Sequence, residues 1–325
     1  MTASIKKSFT DSKNLEMNSE KENFQEKNYT KKSLIYRFSQ FVGFLLGARF
    51  FVAALLTLAL YVSTFFLFNQ DESFRKFVFD FKVHGIIFCT VLTILAGGII
   101  NQFYDFEKDH LVKPFRTRIQ SFIKQKYFLY AYLILSLISL GVAWMISHNV
   151  FIFFIIYQFF MWFYSHKLSR ILILNNLTFV SLTLYPFFGM MVYYQTFSKK
   201  VLLMAVFLFL ILLCIDIVKD TLTKRVDETF GYITIPNYFE PKSVNRIIIS
   251  LLIITMAVSM KLITRTGIAG FMAYYFAAGL FVFIICIYLI INNTRRNKFF
   301  IINILRIWVF AGIIAMLLSG LEGKL

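Results

Sequence analysis

The chain has 325 residues, of which 58% are hydrophobic, 19% aromatic and only 16% charged. Soluble proteins are roughly 45–50% apolar and about 25% charged, so this composition, with a mean hydropathy of +0.69, excludes both a soluble enzyme fold and a disordered chain. The formal net charge of +17 would favour nucleic-acid binding if it lay on one soluble face, but most Lys and Arg lie in short polar segments between apolar runs. The composition therefore predicts a membrane protein with no nucleic-acid partner.

Nine apolar segments are long enough to cross a bilayer, which requires about 20 mostly apolar residues per helix. The predicted spans lie at about 41–69, 84–104, 127–147, 149–165, 171–195, 199–218, 244–263, 268–291 and 299–319. We therefore predict an all-α, multi-pass membrane domain over residues 39–322. Residues 1–38 are polar and Lys-rich and lack the apolar core of a secretory signal, so they are predicted to form a disordered, basic tail.

The distribution of Lys and Arg predicts the orientation of the chain. With the N-terminus in the cytosol, 24 of these residues lie in cytosolic segments and 8 on the opposite side. Cytosolic loops carry an excess of Lys and Arg. We therefore predict a cytosolic N-terminus and place the chain in the cell inner (cytoplasmic) membrane.

The first of two acidic clusters closes the second predicted span. Asn101, Asp105 and Asp109 are spaced at i, i+4 and i+8, so on a helix they form one stripe whose side chains can share a ligand. Lys113 and Arg116 follow in the same polar segment.

The second acidic cluster closes the sixth span. Asp220 and Asp227 lie two helical turns apart on one face, with Lys219 and Lys224 beside them. Asp216 lies one turn deeper, among apolar residues. An acid inside a span is costly and is usually functional or paired, and the alternative is a position at the mouth of a cavity.

Facing carboxylates repel each other unless a cation lies between them. Oxygen ligands from Asp and Asn suit Mg²⁺, which usually binds a few carboxylates together with substrate phosphates. The surrounding cations are suited to a phosphate ligand; they are Lys108, Lys113, Arg116, Lys219, Lys224 and Arg225. The pattern thus favours a metal and diphosphate site over the alternative, solvated charges at helix ends.

Both clusters resemble motifs of the UbiA-type superfamily of intramembrane prenyltransferases. The first matches that family's Asn-x3-Asp-x3-Asp motif in full. The second is similar to the family string Lys-Asp-x2-Asp-x3-Asp-x3-Gly-x2-Thr-x-Pro; the matching residues are Lys219, Asp220, Asp227, Gly231, Thr234 and Pro236. Thr223 stands where a middle Asp is common. Over about residues 40–320 the chain most resembles a bacterial subgroup described as geranylgeranylglycerol-phosphate geranylgeranyltransferase-like, which implies a bundle around a central cavity.

The resemblance implies Mg²⁺-dependent transfer of an isoprenyl group from an allylic polyprenyl diphosphate to an acceptor. It implies that Asp105, Asp109, Asp220 and Asp227 are the catalytic acids and bind Mg²⁺ together with Asn101. The expected substrate-binding residues are Asn101, Lys113, Arg116, Tyr164, Lys167, Lys219 and Lys224. Asp216 and Arg49 are further candidates. Asn176 is a smaller match at the start of the fifth span.

Alternatives remain open from the sequence. Tyr164 could be an interfacial belt tyrosine, and Arg49 could extend its charge to the membrane interface. Buried acids also mark secondary transporters, and Thr223 is compatible with a non-catalytic relative of the fold. Lipid, aromatic and glycerol-phosphate acceptors are all consistent with the motifs.

Overall fold

The computed structural model describes residues 34–68, 73–120 and 123–323, and every regular element within these ranges is a helix. The helices are α1 (Leu34–Gly47), α2 (Phe50–Ser63), α3 (Phe74–Val78), α4 (Phe81–Tyr104), α5 (Phe106–Val112), α6 (Pro114–Gln120), α7 (Gln125–Ile146), α8 (His148–His166), α9 (Leu174–Tyr193), α10 (Lys199–Thr229), α11 (Ile235–Tyr238), α12 (Pro241–Arg265), α13 (Gly270–Ile291) and α14 (Arg295–Leu321). The predicted tail lies outside the described residues as far as residue 33.

Nine helices among the described residues are long and apolar enough to cross a membrane, which confirms the predicted number of spans. They are α2 with its π-helical continuation Thr64–Phe68, then α4, α7, α8, α9, α10, α12, α13 and α14. Some interior polar groups of these helices bond to neighbouring helices. The hydroxyls of Thr93 on α4 and Ser139 on α7, for example, lie 3.0 Å apart.

The first predicted span, 41–69, is broken where the chain approaches α4. Arg49 adopts a left-handed conformation with φ 53° and ψ 40°, which a right-handed helix cannot contain, so α1 and α2 are separate helices. Gly98 on α4 permits the close approach. A Cβ at that position would lie 2.9 Å from the carbonyl oxygen of Ala48 and 3.3 Å from Cγ of Arg49.

The sixth predicted span, 199–218, is longer in the structure. Helix α10 continues to Thr229 and has 31 residues, about 46 Å at 1.5 Å per residue, which exceeds a hydrocarbon core of about 30 Å. No Gly or Pro interrupts it before Gly231, which has φ 71° and turns the chain. The whole second cluster therefore lies on one continuous helix. The end of the bundle at which α4 and α10 finish is named the motif end.

Candidate active site

The second acidic cluster is held by two asparagines on α9. The side-chain nitrogen of Asn176 donates to Oδ2 of Asp216 and to Oδ2 of Asp220, both at 2.8 Å. Asn175 donates to the same Asp220 oxygen at 3.2 Å. All four side chains are buried. These amide donors stabilise carboxylates that would otherwise be buried without compensation.

Lys219 neutralises part of this buried negative charge. Its ammonium group pairs with Oδ1 of Asp216 and lies 3.5 Å from Oδ1 of Asp220. The ammonium also lies 5.2 Å from the centre of the Phe179 ring. The two carboxylates and one lysine leave a net charge of −1 on this part of α10.

Tyr164, at the end of α8, belongs to the same network. Its hydroxyl donates to Oδ1 of Asn175 at 3.0 Å, so the side chain points towards the second cluster. Two other residues that the sequence predicts for substrate binding lie apart from these contacts. Lys167 is exposed just after α8, and Lys224 is half-buried and pairs with Glu228 at 3.9 Å.

The first acidic cluster spans a small interruption between α4 and α5 at Asp105. The backbone N–H of Asp105 still bonds to the carbonyl of Asn101, and that of Asp109 to the carbonyl of Asp105, so the predicted stripe is preserved. The side chain of Asn101 donates to Oδ2 of Asp105 at 2.9 Å. Tyr232 donates its hydroxyl to Oδ1 of Asp105 at 2.6 Å. Burial and the Asp105 charge raise the pKa of Tyr232, which keeps it a donor.

Three cations gather around Asp109. Lys113 pairs with its Oδ1 at 2.9 Å, and Arg116 donates to the carbonyl of Leu46 at the end of α1. Desolvation lowers the pKa of Lys113; Asp109 opposes this change, and Arg49 and Arg116 add to it. Desolvation, then Arg49, lowers the pKa of Arg116. Positive charge is thus in local excess around Asp109.

The two clusters meet through Lys108 and Tyr232. The ammonium of Lys108 on α5 lies 2.7 Å from Oδ1 of Asp227 on α10 and 3.7 Å from the centre of the Tyr232 ring. Asp227 also accepts from the hydroxyl of Thr223 at 2.7 Å. The sequence indicates Lys108 only as a nearby cation and gives no signal for Tyr232 or Asn175, because their partners come from other helices.

The donor set suits a hard divalent cation that is completed by a substrate. Within the described residues, no group of three or more His, Cys, Asp and Glu side chains is close enough to hold a metal ion alone. The acids of the two clusters instead supply oxygen donors from two sides. Mg²⁺ commonly takes one or two carboxylates together with substrate phosphates. The residues present therefore fit Mg²⁺ bound jointly with a phosphate ligand.

An apolar cavity of about 250 Å³ lies deeper in the bundle than the two clusters. Residues of α2, α4, α9, α10, α13 and α14 line it, and its polar side chains are Ser63, Thr183 and Tyr275. It begins at Leu212, one turn from Asp216 on α10, and extends about 16 Å along α2. Its shape and lining suit an alkyl chain.

Comparison with known proteins gives the family of the chain. The model of the UbiA prenyltransferase family matches residues 73–310. No similar sequence was found among curated proteins.

Solved structures share the fold at low sequence identity. A digeranylgeranylglyceryl phosphate synthase structure is 18% identical, with a TM-score of 0.67, and the match covers 87% of this chain and 99% of that chain. A UbiA homolog from Archaeoglobus fulgidus bound to GPP and Mg²⁺ is 14% identical, with a TM-score of 0.61, covering 84% and 99% of the two chains. An apo UbiA homolog from Aeropyrum pernix K1 is 16% identical, with a TM-score of 0.62, covering 80% and 96%.

The family model covers most of the chain, and the solved structures share its arrangement of membrane-spanning helices. This chain is therefore an integral membrane protein that belongs to the UbiA prenyltransferase family.

Proposed function

We propose that the chain is a prenyltransferase that moves an isoprenyl group from an allylic polyprenyl diphosphate to an acceptor and releases diphosphate. The observation that carries the proposal is the position of two charged clusters directly above an apolar cavity. A prenyl diphosphate has the same division, with a charged head and an apolar tail. Similar solved structures are bound to GPP and Mg²⁺ and to DMAPP and Mg²⁺.

We assign the charged head to the motif end. Asn101, Asp105, Asp109 and Asp220 are the proposed Mg²⁺ ligands, each offering an oxygen donor. Asp227, which the motif also predicts as a ligand, is paired with Lys108. Bound Mg²⁺ supplies Lewis-acid stabilisation of the negative charge on the diphosphate.

The cations around Asp109 are proposed to bind the diphosphate. Desolvation lowers the pKa of Lys113, and repulsion from Arg49 and Arg116 adds to this change. A diphosphate would relieve this repulsion and gain charge-assisted hydrogen bonds. When the carbon–oxygen bond of the donor breaks, the electron pair stays on the diphosphate, and these cations stabilise the added charge without rearrangement.

The acceptor side is proposed to lie near the ends of α8 and α10. Tyr164 and Lys219 face the second cluster, with Lys167 and Lys224 at its edge, so these four residues remain the candidates for contacts with substrate. The acceptor attacks the allylic carbon and loses a proton. Lipid, aromatic and glycerol-phosphate acceptors all meet this requirement. The likeness to digeranylgeranylglyceryl phosphate synthase, which shows the fold alone, makes glycerol phosphates the first to test.

The excess of Lys and Arg on the N-terminal side supports a cytosolic motif end. We propose the cell inner membrane as the location, with the N-terminus in the cytosol. Donor and diphosphate would then exchange with the cytosol, while the prenyl tail enters the apolar cavity.

The test is a product assay on purified protein in detergent. We would supply geranylgeranyl diphosphate and Mg²⁺, with and without glycerol phosphates or a host lipid extract, and measure diphosphate release and prenylated products by mass spectrometry. Products that disappear with EDTA are expected. Folded protein that releases no diphosphate with any donor length or extract would contradict the proposed function and favour a transporter or a non-catalytic relative.

A further inference from the structure

Asp227 is the most enclosed acid of the two clusters, with an exposure of 0%. Its two oxygens contact different groups, and of the two only Oδ2 accepts a hydrogen bond from a described residue. Lys108 lies 2.7 Å from Oδ1, and the Thr223 hydroxyl donates to Oδ2 at 2.7 Å. The ion pair neutralises Asp227 and is more enclosed than the Lys113–Asp109 pair, with side-chain exposures of 19% and 1% against 42% and 10%, so Asp227 has no free charge to offer an entering divalent cation.

Thr223 changes the electrostatic requirement of α10. An Asp at this position would lie one helical turn from Asp227, and the two carboxylates would repel each other unless a cation lay between them. Thr223 instead donates a hydrogen bond to Asp227, and the ammonium of Lys108 supplies the cation. The chain thus lacks one carboxylate at position 223, and a lysine from α5 contacts the neighbouring Asp227.

Lys108 is also held in place by Tyr232. Its ammonium lies 3.7 Å from the centre of the Tyr232 ring, close enough for a cation–π contact. The hydroxyl of Tyr232 is in turn fixed by Asp105. Lys108 precedes Asp109 by one residue, so its ion pair ties the first cluster to the second.

We infer that Lys108 is a built-in cation that takes the place of a metal ion in the second cluster, so that a single divalent ion binds with the diphosphate. Asp227 is then a positioning residue that holds Lys108. This inference rests on the proposed function. It concerns which part of the positive charge in the site comes from Lys108 and which part comes from the metal ion.

The test counts bound ions without turnover. Full-length protein in detergent is titrated with Mn²⁺ in the presence of inorganic pyrophosphate, and free Mn²⁺ is measured by electron paramagnetic resonance. One ion per chain is expected for the wild type, and two for the double variant Lys108→Met/Thr223→Asp. Two ions in the wild type, or one in the double variant, overturn the inference. A folded wild type that binds no ion contradicts the proposed function instead.

A second pair of variants separates a ligand from a positioning residue. Lys108→Met alone leaves Asp227 buried and unpaired and can prevent folding, whereas Lys108→Met/Asp227→Asn removes both charges. The ion count of this charge-free variant is expected to stay at one. Loss of the ion would show that Asp227 is a ligand and would overturn the inference.

Activity gives an independent check on the same lysine. Lys108→Arg keeps the charge and is expected to retain the Mg²⁺ requirement of the wild type. Loss of a charged partner in Lys108→Met should raise the Mg²⁺ concentration for half-maximal activity by roughly tenfold or more. Lys126→Met, which removes a lysine above the ring of Tyr127 outside the site, is the matched control. Equal Mg²⁺ requirements in Lys108→Met and Lys126→Met would overturn the inference.

Discussion

The two acidic clusters follow one pattern in the sequence but differ in their electrostatic environment. The first lies on short helices that begin and end near Asp105, and three cations gather around Asp109. The second lies on the continuous helix α10, where Asp216 and Asp220 share Lys219 and are buried against two amides. Positive charge is thus in excess around Asp109 in the first cluster, and negative charge is in excess around Asp216 and Asp220 in the second. In the proposed function, the diphosphate therefore binds beside Asp109, and its metal ion binds between the two clusters.

The largest expected effect comes from removing one carboxylate charge in either cluster. Asp105→Asn and Asp220→Asn should each lower kcat by roughly 10²–10³, because each removes a preorganised electrostatic contact. The protein should still insert and purify. Initial rates of diphosphate release at saturating donor would measure the effect.

Asp80→Asn is the matched control for these two variants. Asp80 caps α4 at the end opposite the motif end and accepts from the backbone N–H groups of Lys82 and Val83. Asn is an equally good cap, so little change is expected. Near-wild-type rates for both Asp105→Asn and Asp220→Asn would show that the metal assignment is wrong. Loss of activity in only one would show that the two clusters do not share the ion.

The overall fold was predictable because bilayer thickness fixes the length of each apolar run. The structure departs from the predicted spans in two places, and both depend on contacts between different segments of the chain. The bend at Arg49 requires the bare backbone of Gly98 on another helix. Residues 219–229 lie beyond the apolar run that predicts the sixth span, yet they continue α10, and their acids find partners on α5 and α9.

The spacing of the acids was predictable from helix geometry, and the stripe from Asn101 to Asp109 is present in the structure. Their partners were not predictable. Asn175 and Tyr232 become part of the site only when α9 and the segment after α10 pack beside the two clusters. A list of charged residues therefore predicts the ligand class but not which charges the chain neutralises by itself.

The amide of Asn176 is expected to produce the next largest effect. It donates to two carboxylates, and its own oxygen accepts no hydrogen bond from the residues that the structure describes. Asn176→Leu removes both bonds, and hydrogen bonds to charged groups each contribute about 1.5–3 kcal/mol. We expect a lower Tm in detergent together with a lower kcat.

Gln158→Leu is the matched control for Asn176→Leu. Gln158 is also an amide between helices, but its partners, the carbonyl of Ser136 and the hydroxyl of Thr93, are neutral. It should therefore lower the Tm less and leave kcat unchanged. Equal effects of the two variants on kcat would contradict a specific role for Asn176 in the second cluster.

A smaller effect is expected where α4 approaches the bend before α2. A methyl group in Gly98→Ala would press on the backbone carbonyl of Ala48, which cannot rotate away as a side chain can. Overpacking of this kind costs about 2 kcal/mol. The displacement of Arg49 should also raise the KM for the donor. Gly141→Ala, at a position where the added Cβ meets no described atom within 4 Å beyond its own helical turns, should change neither the Tm nor the KM.

The smallest expected effect separates the hydroxyl of Tyr232 from its ring. Tyr232→Phe removes the bond to Asp105 but keeps the aromatic face beneath Lys108. One hydrogen bond to a charged group contributes about 1.5 kcal/mol, so kcat should decrease about tenfold, while the number of bound Mn²⁺ ions stays the same. Tyr232→Leu removes the ring as well and should also raise the Mg²⁺ requirement, because Lys108 loses its support. If Tyr232→Phe and Tyr232→Leu had the same Mg²⁺ requirement, the ring would have no part in holding Lys108. The difference between the clusters would then depend on the ion pair with Asp227 alone.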